Sequence, residues 1–220
     1  MRIIDVEQGS QAWLDARVGV LTASTFDMVI TPKTGKPSAQ ASKLAYQTLA
    51  EEVLGRALED ASSGFMQRGT EMEEEARRWY EFEREVEVAR VGLIVRDDGK
   101  VGCSPDGLVG EDGGLEIKCP SAAVHLGYLL GGVADEYRCQ LQGSLWVTER
   151  DWWDFLSYCP GFPPVLVRIA RDEDFIGKLA TCVDEVLATI ETHRATLRDM
   201  GLLQESSLTL SEALAQARAA

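Results

Sequence analysis

The chain has 220 residues, of which 45% are hydrophobic, and it carries a formal net charge of −14 at pH 7. A chain of this length buries a substantial core within a single domain. It contains no apolar run of about 18 residues, which excludes a transmembrane helix, and residues 1–5 do not resemble a signal peptide, so we expect a cytoplasmic protein.

The numbers and spacings of cysteine and histidine weigh against two further kinds of site. The cysteines are odd in number and include no Cys-x-x-Cys pair, which indicates free buried thiols in a reducing compartment and disfavours a zinc site. The two histidines are His125 and His193, and the second lies in a predicted surface helix, so a Ser-His or Cys-His triad has little support. The cysteines are Cys103, Cys119, Cys139, Cys159 and Cys182.

Hydrophobic periodicity and turn signals predict an α/β fold: a single domain with a central, mixed sheet of about five strands flanked by helices. The domain is expected to span residues 1–203, followed by a loosely attached tail at 204–220 with a short helix opening at Thr209. Helices are predicted over residues 11–16, 25–30, 38–58, 66–84, 122–130, 134–147 and 172–200. Strands are predicted over residues 86–96, 100–109, 115–119, 153–158 and 165–170, the first three as an antiparallel meander.

The segment that follows the second predicted helix has an unusual charge for this chain. Residues 28–50 contain no Asp or Glu, yet they include Lys33, Lys36 and Lys43, three of the six lysines. A net charge of −14 argues against a nucleic-acid partner, because such binding depends largely on neutralising phosphates. A local patch of positive charge at Lys33 and Lys36 that contacts DNA would answer this objection. The alternative interpretation of this segment is a flexible surface loop rich in Pro, Gly, Ser and Thr.

Two motifs in the meander combine carboxylates with a lysine. Glu116 and Lys118 alternate with apolar residues on the third strand, so they share a face, and the turn at residues 111–114 brings Asp106 near Glu116. Two carboxylates suit Mg²⁺, which takes hard oxygen ligands, and the Ile117 carbonyl could supply a third. Lys118 would then hold a metal-activated water and stabilise developing negative charge during phosphodiester cleavage.

Each motif also has a purely structural interpretation. Ser104-Pro105-Asp106-Gly107 is a favourable type I turn sequence, and alone it is more often a plain turn than a site. Glu-x-Lys on a strand is usually a solvated face. What favours a site is the combination of the two motifs, with a turn folding one onto the other.

This combination resembles the PD-(D/E)xK nuclease superfamily. The flanking residues narrow the resemblance to the lambda exonuclease or YqaJ-like viral recombinase family, the phage-type alkaline exonucleases. The similar segments cover most of the chain: SPDGL at residues 104–108, GLEIKCP at 114–120, QLQGSLWVT at 140–148, and positions 7–9, 12–13, 17 and 19–24 near the N-terminus.

The resemblance implies two further catalytic-site residues. Gly69, Glu73, Ala76 and Arg77 match the family motif Gly-x-x-x-Glu-x-x-Ala-Arg, whose glutamate contacts metal or water, although Glu73 also fits a plain surface helix. The family places a catalytic-site glutamine at Gln140, for which the nearby Gln142 is the rival. The implied catalytic set is therefore Asp106, Glu116, Lys118, Glu73 and Gln140, with metal bound by Asp106, Glu116, Ile117 and Glu73.

The resemblance also implies a pocket for a terminal 5′-phosphate at Arg17, Ser24 and Ser104. A helix N-terminus with a hydroxyl and a nearby arginine is a common phosphate receptor. The structural alternative makes Ser24 the N-cap of the helix predicted from Thr25.

The activity implied is a Mg²⁺-dependent 5′-to-3′ exonuclease, with Mn²⁺ as a substitute and two ions per site. It would digest one strand of linear double-stranded DNA with 5′-phosphorylated ends to mononucleotides, leaving a 3′ single strand for recombination. The same resemblance implies a homotrimeric ring, a single-strand annealing protein as partner, and a bacterial or phage-encoded protein. The alternatives are an endonuclease of the same superfamily and a non-catalytic DNA-binding protein on the nuclease fold.

Overall fold

The computed structural model describes residues 1–58, 63–133 and 135–203, and over 63–71 it describes the backbone. The predicted tail at 204–220, with its helix at Thr209, and the first residue of the helix predicted at 134–147 lie outside this part. Within the described ranges no helix combines the length and hydropathy needed to cross a bilayer.

Six α-helices and nine strands make up the described part of the chain. The helices are α1 (Gln11–Arg17), α2 (Ala41–Leu54), α3 (Ser63–Arg84), α4 (Ala122–Gly131), α5 (Arg138–Thr148) and α6 (Glu173–Asp199). The strands are β1 (Arg2–Ile4), β2 (Leu21–Thr22), β3 (Val88–Ala89), β4 (Leu93–Val95), β5 (Val101–Cys103), β6 (Gly107–Val109), β7 (Gly113–Lys118), β8 (Trp152–Ser157) and β9 (Val165–Ala170). Short 3-10 helices cover Ala23–Met28 and Asp135–Tyr137.

The predicted α/β domain with a mixed, five-stranded sheet is confirmed. The strand order is β3-β6-β7-β8-β9, in which β7 and β8 run parallel and the other neighbours are antiparallel. The structure adds a second mixed sheet of four short strands, in the order β1-β4-β5-β2. The second sheet escaped prediction because β1 and β2, with three and two residues, are too short to show a period.

The predicted meander is wrong in one respect: its first two strands each break and continue in the other sheet. The first breaks at Gly92, where an added Cβ would lie 2.0 Å from the Val6 carbonyl oxygen, so the backbones approach too closely for a side chain. The second breaks between Cys103 and Gly107, at Pro105, which has no N–H for a ladder hydrogen bond. The three residues 104–106 thus form a short link between the two sheets.

Four predicted helices have bounds that differ by more than one residue in the structure. The helix predicted at 66–84 begins three residues earlier, at Ser63. Residues 25–30 were expected to be helical, but a 3-10 helix covers Ala23–Met28. The helix predicted at 38–58 starts at Ala41, because the Ser38 N–H bonds back to the Val29 carbonyl, and it ends before Gly55 at φ 63°. In place of a continuous helix at 134–147, the 3-10 turn Asp135–Tyr137 precedes α5.

Helices cover both faces of the five-stranded sheet. On one face α5 and α6 pack in the main core, which includes Trp153, Phe155 and Leu145. On the other face Ala76 and Tyr80 of α3 pack with alternate residues of β7 and β8, namely Leu115, Ile117 and Leu156. The intervening β7 residues therefore face α5, which decides where the site lies.

Candidate active site

Glu116 is the centre of a hydrogen-bonded group on the α5 face of β7. Its side chain is buried, and Oε1 accepts from Nζ of Lys118 at 2.6 Å and from Nε2 of Gln140 at 2.6 Å. The Lys118 ammonium also lies 5.5 Å from the centre of the Tyr137 ring. Burial disfavours the Lys118 charge, but the adjacent Glu116 carboxylate outweighs it and raises the lysine pKa above its usual value.

Asp106 ends the link between the sheets and reaches the neighbouring strand. Its Oδ2 accepts from the backbone N–H of Ile117 at 2.6 Å. Burial, followed by the negative charges of Glu116 and Glu73, raises the Asp106 pKa well above its usual value. The structure thus brings Asp106 and Glu116 together, and their charges repel.

The Ile117 peptide is available to this site because of the break at Pro105. The Lys118 carbonyl accepts from Tyr158 N at 2.9 Å towards β8, so the Ile117 N–H and carbonyl point towards β6. The β6–β7 register pairs Gly107 with Leu115 and so places Pro105 opposite Ile117. Pro105 cannot donate to the Ile117 carbonyl, which leaves that oxygen free of a ladder bond from Pro105.

These residues fit a divalent cation in their chemistry. Asp106, Glu116 and the Ile117 carbonyl are hard oxygen donors, and Mg²⁺ usually takes one or two carboxylates. A bound cation would offset the negative charges of Glu116 and Glu73, which add to the effect of burial in raising the Asp106 pKa. Of the residues that the structure describes, no three acidic, histidine or cysteine side chains form a metal-binding cluster, so Glu73 is not drawn into one with Asp106 and Glu116.

Glu73 lies on α3, near enough to Asp106 to influence its charge. Its Oε1 accepts from Nη2 of Arg77 at 3.1 Å. About a third of the side chain is exposed. The structure therefore places Glu73 beside the carboxylate pair, in contact with an arginine.

Gln140 and Gln142 have separate environments, although they are two residues apart on α5. Gln140 donates to Glu116, as described above. Gln142 is buried away from the site, where Nε2 donates to the Ala170 carbonyl at 2.9 Å and Oε1 accepts from Asp172 N at 2.9 Å. Of the two, Gln140 is the one that contacts Glu116.

Arg17, Ser24 and Ser104 meet at the edge of the four-stranded sheet. The Arg17 guanidinium donates to Ser104 Oγ at 3.1 Å, Thr22 Oγ1 at 3.1 Å and Ser24 Oγ at 3.4 Å. Trp13 Nε1 also donates to Ser104 Oγ at 3.0 Å, and its ring lies 4.3 Å from the guanidinium carbon. Burial lowers the Arg17 pKa, which marks a desolvated charge that an anion would stabilise.

The alternative role of Ser24 as an N-cap is wrong. The 3-10 helix begins at Ala23, two residues earlier than that role requires, and its cap position is Thr22. The Ser24 hydroxyl instead contacts Thr22 Oγ1 at 3.1 Å and the Arg17 side chain.

Comparison with known proteins identifies the family of this chain. The family model of the YqaJ-like viral recombinase domain matches residues 12–151. The chain belongs to this family. An uncharacterised protein of Acanthamoeba polyphaga mimivirus is 30% identical over 171 residues, covering 71% of this chain and 30% of the mimivirus protein, so the chain spans less than a third of that relative.

Solved exonucleases share the fold of this YqaJ-like chain. The alkaline exonuclease LHK-Exo from Laribacter hongkongensis is 33% identical, with a TM-score of 0.78 over 87% of this chain and 98% of that one. Its complex with dAMP matches equally well, over 89% and 100%. A phage-related exonuclease from Haemophilus somnus, at 15% identity and TM-score 0.67 over 81% and 96%, shares the fold. Family membership and the likeness to LHK-Exo identify the YqaJ-like chain as an enzyme of the exonuclease class.

The lysine-bearing loop of the YqaJ-like chain is a hairpin closed by backbone hydrogen bonds. Its ends are joined by a bridge between Ile30 and Pro37, and Thr31 N donates to the Lys36 carbonyl at 2.8 Å. Lys33 and Lys36 are exposed. Arg138, two residues before Gln140, donates to the carbonyl of Pro32 at 2.9 Å, so the hairpin is tied to the start of α5.

Sequence reasoning did not single out Thr22, and it named Trp13 and Arg77 as family matches without assigning them a role. A signal for Thr22 existed: it lies in the similar segment at 19–24, two residues before Ser24. For Arg77 the signal was its place in the motif that contains Glu73.

Proposed function

We propose that this chain is a Mg²⁺-dependent 5′-to-3′ exonuclease, with Mn²⁺ as a substitute and two ions per site. It would digest one strand of linear double-stranded DNA to mononucleotides and leave a 3′ single strand. The observation that carries the proposal is the spacing of two sites: Ser104 belongs to the Arg17 pocket, and Asp106, two residues later, belongs to the carboxylate site.

The carboxylate site has the groups that phosphodiester cleavage requires. A bound cation would lower the pKa of a water molecule and neutralise charge on the attacked phosphate, with Asp106, Glu116 and the Ile117 carbonyl to hold it and Glu73 beside them. Lys118 lies beside Glu116, where it would hold the metal-activated water and donate to developing negative charge. Gln140 fixes the orientation of Glu116 through their hydrogen bond.

The Arg17 pocket suits a terminal 5′-phosphate. A half-buried guanidinium surrounded by three hydroxyl groups, those of Ser104, Thr22 and Ser24, offers charge-assisted and neutral hydrogen bonds to phosphate oxygens. A chain end carries such a phosphate and an internal position does not. This asymmetry favours end-directed digestion over internal cutting.

The exposed lysines of the hairpin give the duplex a place to bind despite the net charge of −14. Lys33 and Lys36 lie on a loop tied to the start of α5, which also carries Gln140. Neutralising a few phosphates there would make binding strongly dependent on salt. The complex of LHK-Exo with dAMP supports a deoxynucleotide as the product.

Family membership supports three wider proposals. The chain would act as a homotrimeric ring that keeps its DNA captured, it would hand the 3′ strand to a single-strand annealing protein, and it would work in the cytoplasm of a bacterium as a phage-encoded or host-encoded recombinase.

Digestion of defined DNA tests the function. Linear duplexes with and without a 5′-phosphate, and covalently closed circles, are incubated with Mg²⁺ or with a chelator, using the wild-type chain and Lys118→Ala. We expect Mg²⁺-dependent release of mononucleotides from linear DNA, faster from phosphorylated ends, and little activity in the variant. Cleavage in chelator, or full activity of Lys118→Ala, would refute the mechanism, whereas equal digestion of closed circles would identify an endonuclease.

A further inference from the structure

Arg77 contacts both the Glu73 carboxylate and the backbone of Asp106. Its side chain is 9% exposed, and a buried arginine needs partners for its donors. The Nη2 group donates to Oε1 of Glu73 at 3.1 Å and to the carbonyl oxygen of Asp106 at 3.1 Å. One nitrogen therefore joins α3 to the link between the sheets.

The other end of the guanidinium is also held. Nη1 donates to Oε2 of Glu74 at 3.0 Å, and Glu74 is itself paired with Arg90 and Arg78. Because the guanidinium is planar and its donors form a rigid fork, holding Nη1 sets the direction of Nη2. Arg77 is thus anchored on its own helix and reaches across to Asp106 in one orientation.

We propose that Arg77 is a positioning residue of the nuclease site, holding Glu73 in a fixed relation to the Asp106 main chain, so that the Glu73 carboxylate stays beside the cation that Asp106 and Glu116 would bind. The inference rests on the function proposed above, in which Asp106 and Glu116 bind Mg²⁺. A lysine at this position would supply the charge without the fork, so it would not make the same connection.

A matched pair of variants tests the role. Arg77→Met removes the fork and keeps much of the buried aliphatic volume. Arg78→Met removes the same charge from the next residue of α3, where the side chain is 74% exposed and pairs with Glu74. Mg²⁺ affinity is measured by isothermal titration calorimetry without DNA, and kcat and KM are measured by nucleotide release.

We expect Arg77→Met to weaken Mg²⁺ binding and lower kcat by roughly 10- to 100-fold, as is typical for residues that orient metal ligands. KM should change little, because Arg77 contacts protein groups and not DNA. Arg78→Met should stay close to wild type, since exposed ion pairs contribute little. Arg77→Lys should resemble Arg77→Met, and circular dichroism establishes that each variant is folded; if Arg77→Met does not fold, Arg77→Lys and Arg77→Gln carry the comparison.

Two results would overturn the proposal. Mg²⁺ affinity equal to or tighter than wild type in the folded Arg77 variants would mean that the guanidinium merely competes with the cation. Wild-type kcat in Arg77→Lys would mean that charge suffices. A wild-type chain that binds Mg²⁺ but digests no DNA would instead refute the proposed function, while the affinity comparison would still decide the role of Arg77.

Discussion

Gln140 and Gln142 offer a test in which substitution of one glutamine should lower activity and substitution of the other should lower stability. Gln140→Ala removes a hydrogen bond to the buried Glu116 carboxylate. Such a bond to a charged group is worth about 1.5–3 kcal/mol. If it orients Glu116 in the transition state, kcat should fall by roughly 10- to 150-fold, with little change in melting temperature.

Gln142→Ala should have the reverse effect. The substitution leaves the Ala170 carbonyl and the Asp172 N–H without their partner, at about 1–3 kcal/mol for each unsatisfied group. Because both bonds are partly buried and water can reach them in part, we expect a total loss of about 2–4 kcal/mol. For a chain of this size that corresponds to a melting temperature lower by roughly 4–16 °C.

Thermal melts of both variants would measure the effect on stability. Single-turnover nucleotide release, assayed at a temperature about 20 °C below the melting temperature of the less stable variant, would measure the effect on activity. Loss of the same property in both variants would refute the assignment. In particular, a Gln142→Ala variant that is folded but inactive would place Gln142 in the site.

Three further predictions concern charge and burial. Because the Asp106 pKa is raised, Mg²⁺ must displace a proton there, so its affinity should strengthen as pH rises, by up to about tenfold per pH unit; calorimetry at several pH values that showed no trend would contradict this. The folded-state pKa of Asp106 lies above its unfolded value, so metal-free stability should fall as pH rises through it. Asp106→Asn should therefore unfold at higher denaturant than the metal-free wild type at pH 8, with the difference fading towards pH 4, and should lose Mg²⁺-dependent activity. Finally, Asp154 is fully buried and accepts hydrogen bonds from Tyr80 and Arg168. Asp154→Ala should lower the unfolding free energy by about 1–3 kcal/mol in urea titrations. An unchanged unfolding midpoint would mean that the hydrogen bonds of Asp154 contribute nothing to stability.

The elements that were predicted well are long enough to show a clear hydrophobic periodicity. β9 has the predicted bounds, and α6 differs by one residue at each end, with the Asp172 side chain accepting from Phe175 N as its cap. The prediction failed where contacts distant in sequence decide. Nothing in the sequence near Gly92 shows that the Val6 carbonyl will lie against it, in the break between β3 and β4.

The candidate site was predictable to a similar extent. Strand alternation alone placed Glu116 and Lys118 on one face, and the turn placed Asp106 beside them. By contrast, the meeting of Arg17 with Ser104 joins residues 87 positions apart, and no local pattern contains it. The choice between Gln140 and Gln142 also needed the structure, because either residue could occupy a polar position on a helix.

The link at residues 104–106 has a consequence for the length of the product. Its first residue contacts the proposed phosphate pocket and its last belongs to the carboxylate site. Two residues of extended chain span about 7 Å at most, and the proline between them restricts the backbone. Under the proposed function this tripeptide is a molecular ruler: it sets how far from its terminal phosphate a strand is cut, so the size of the fragment released is set by the length of a peptide.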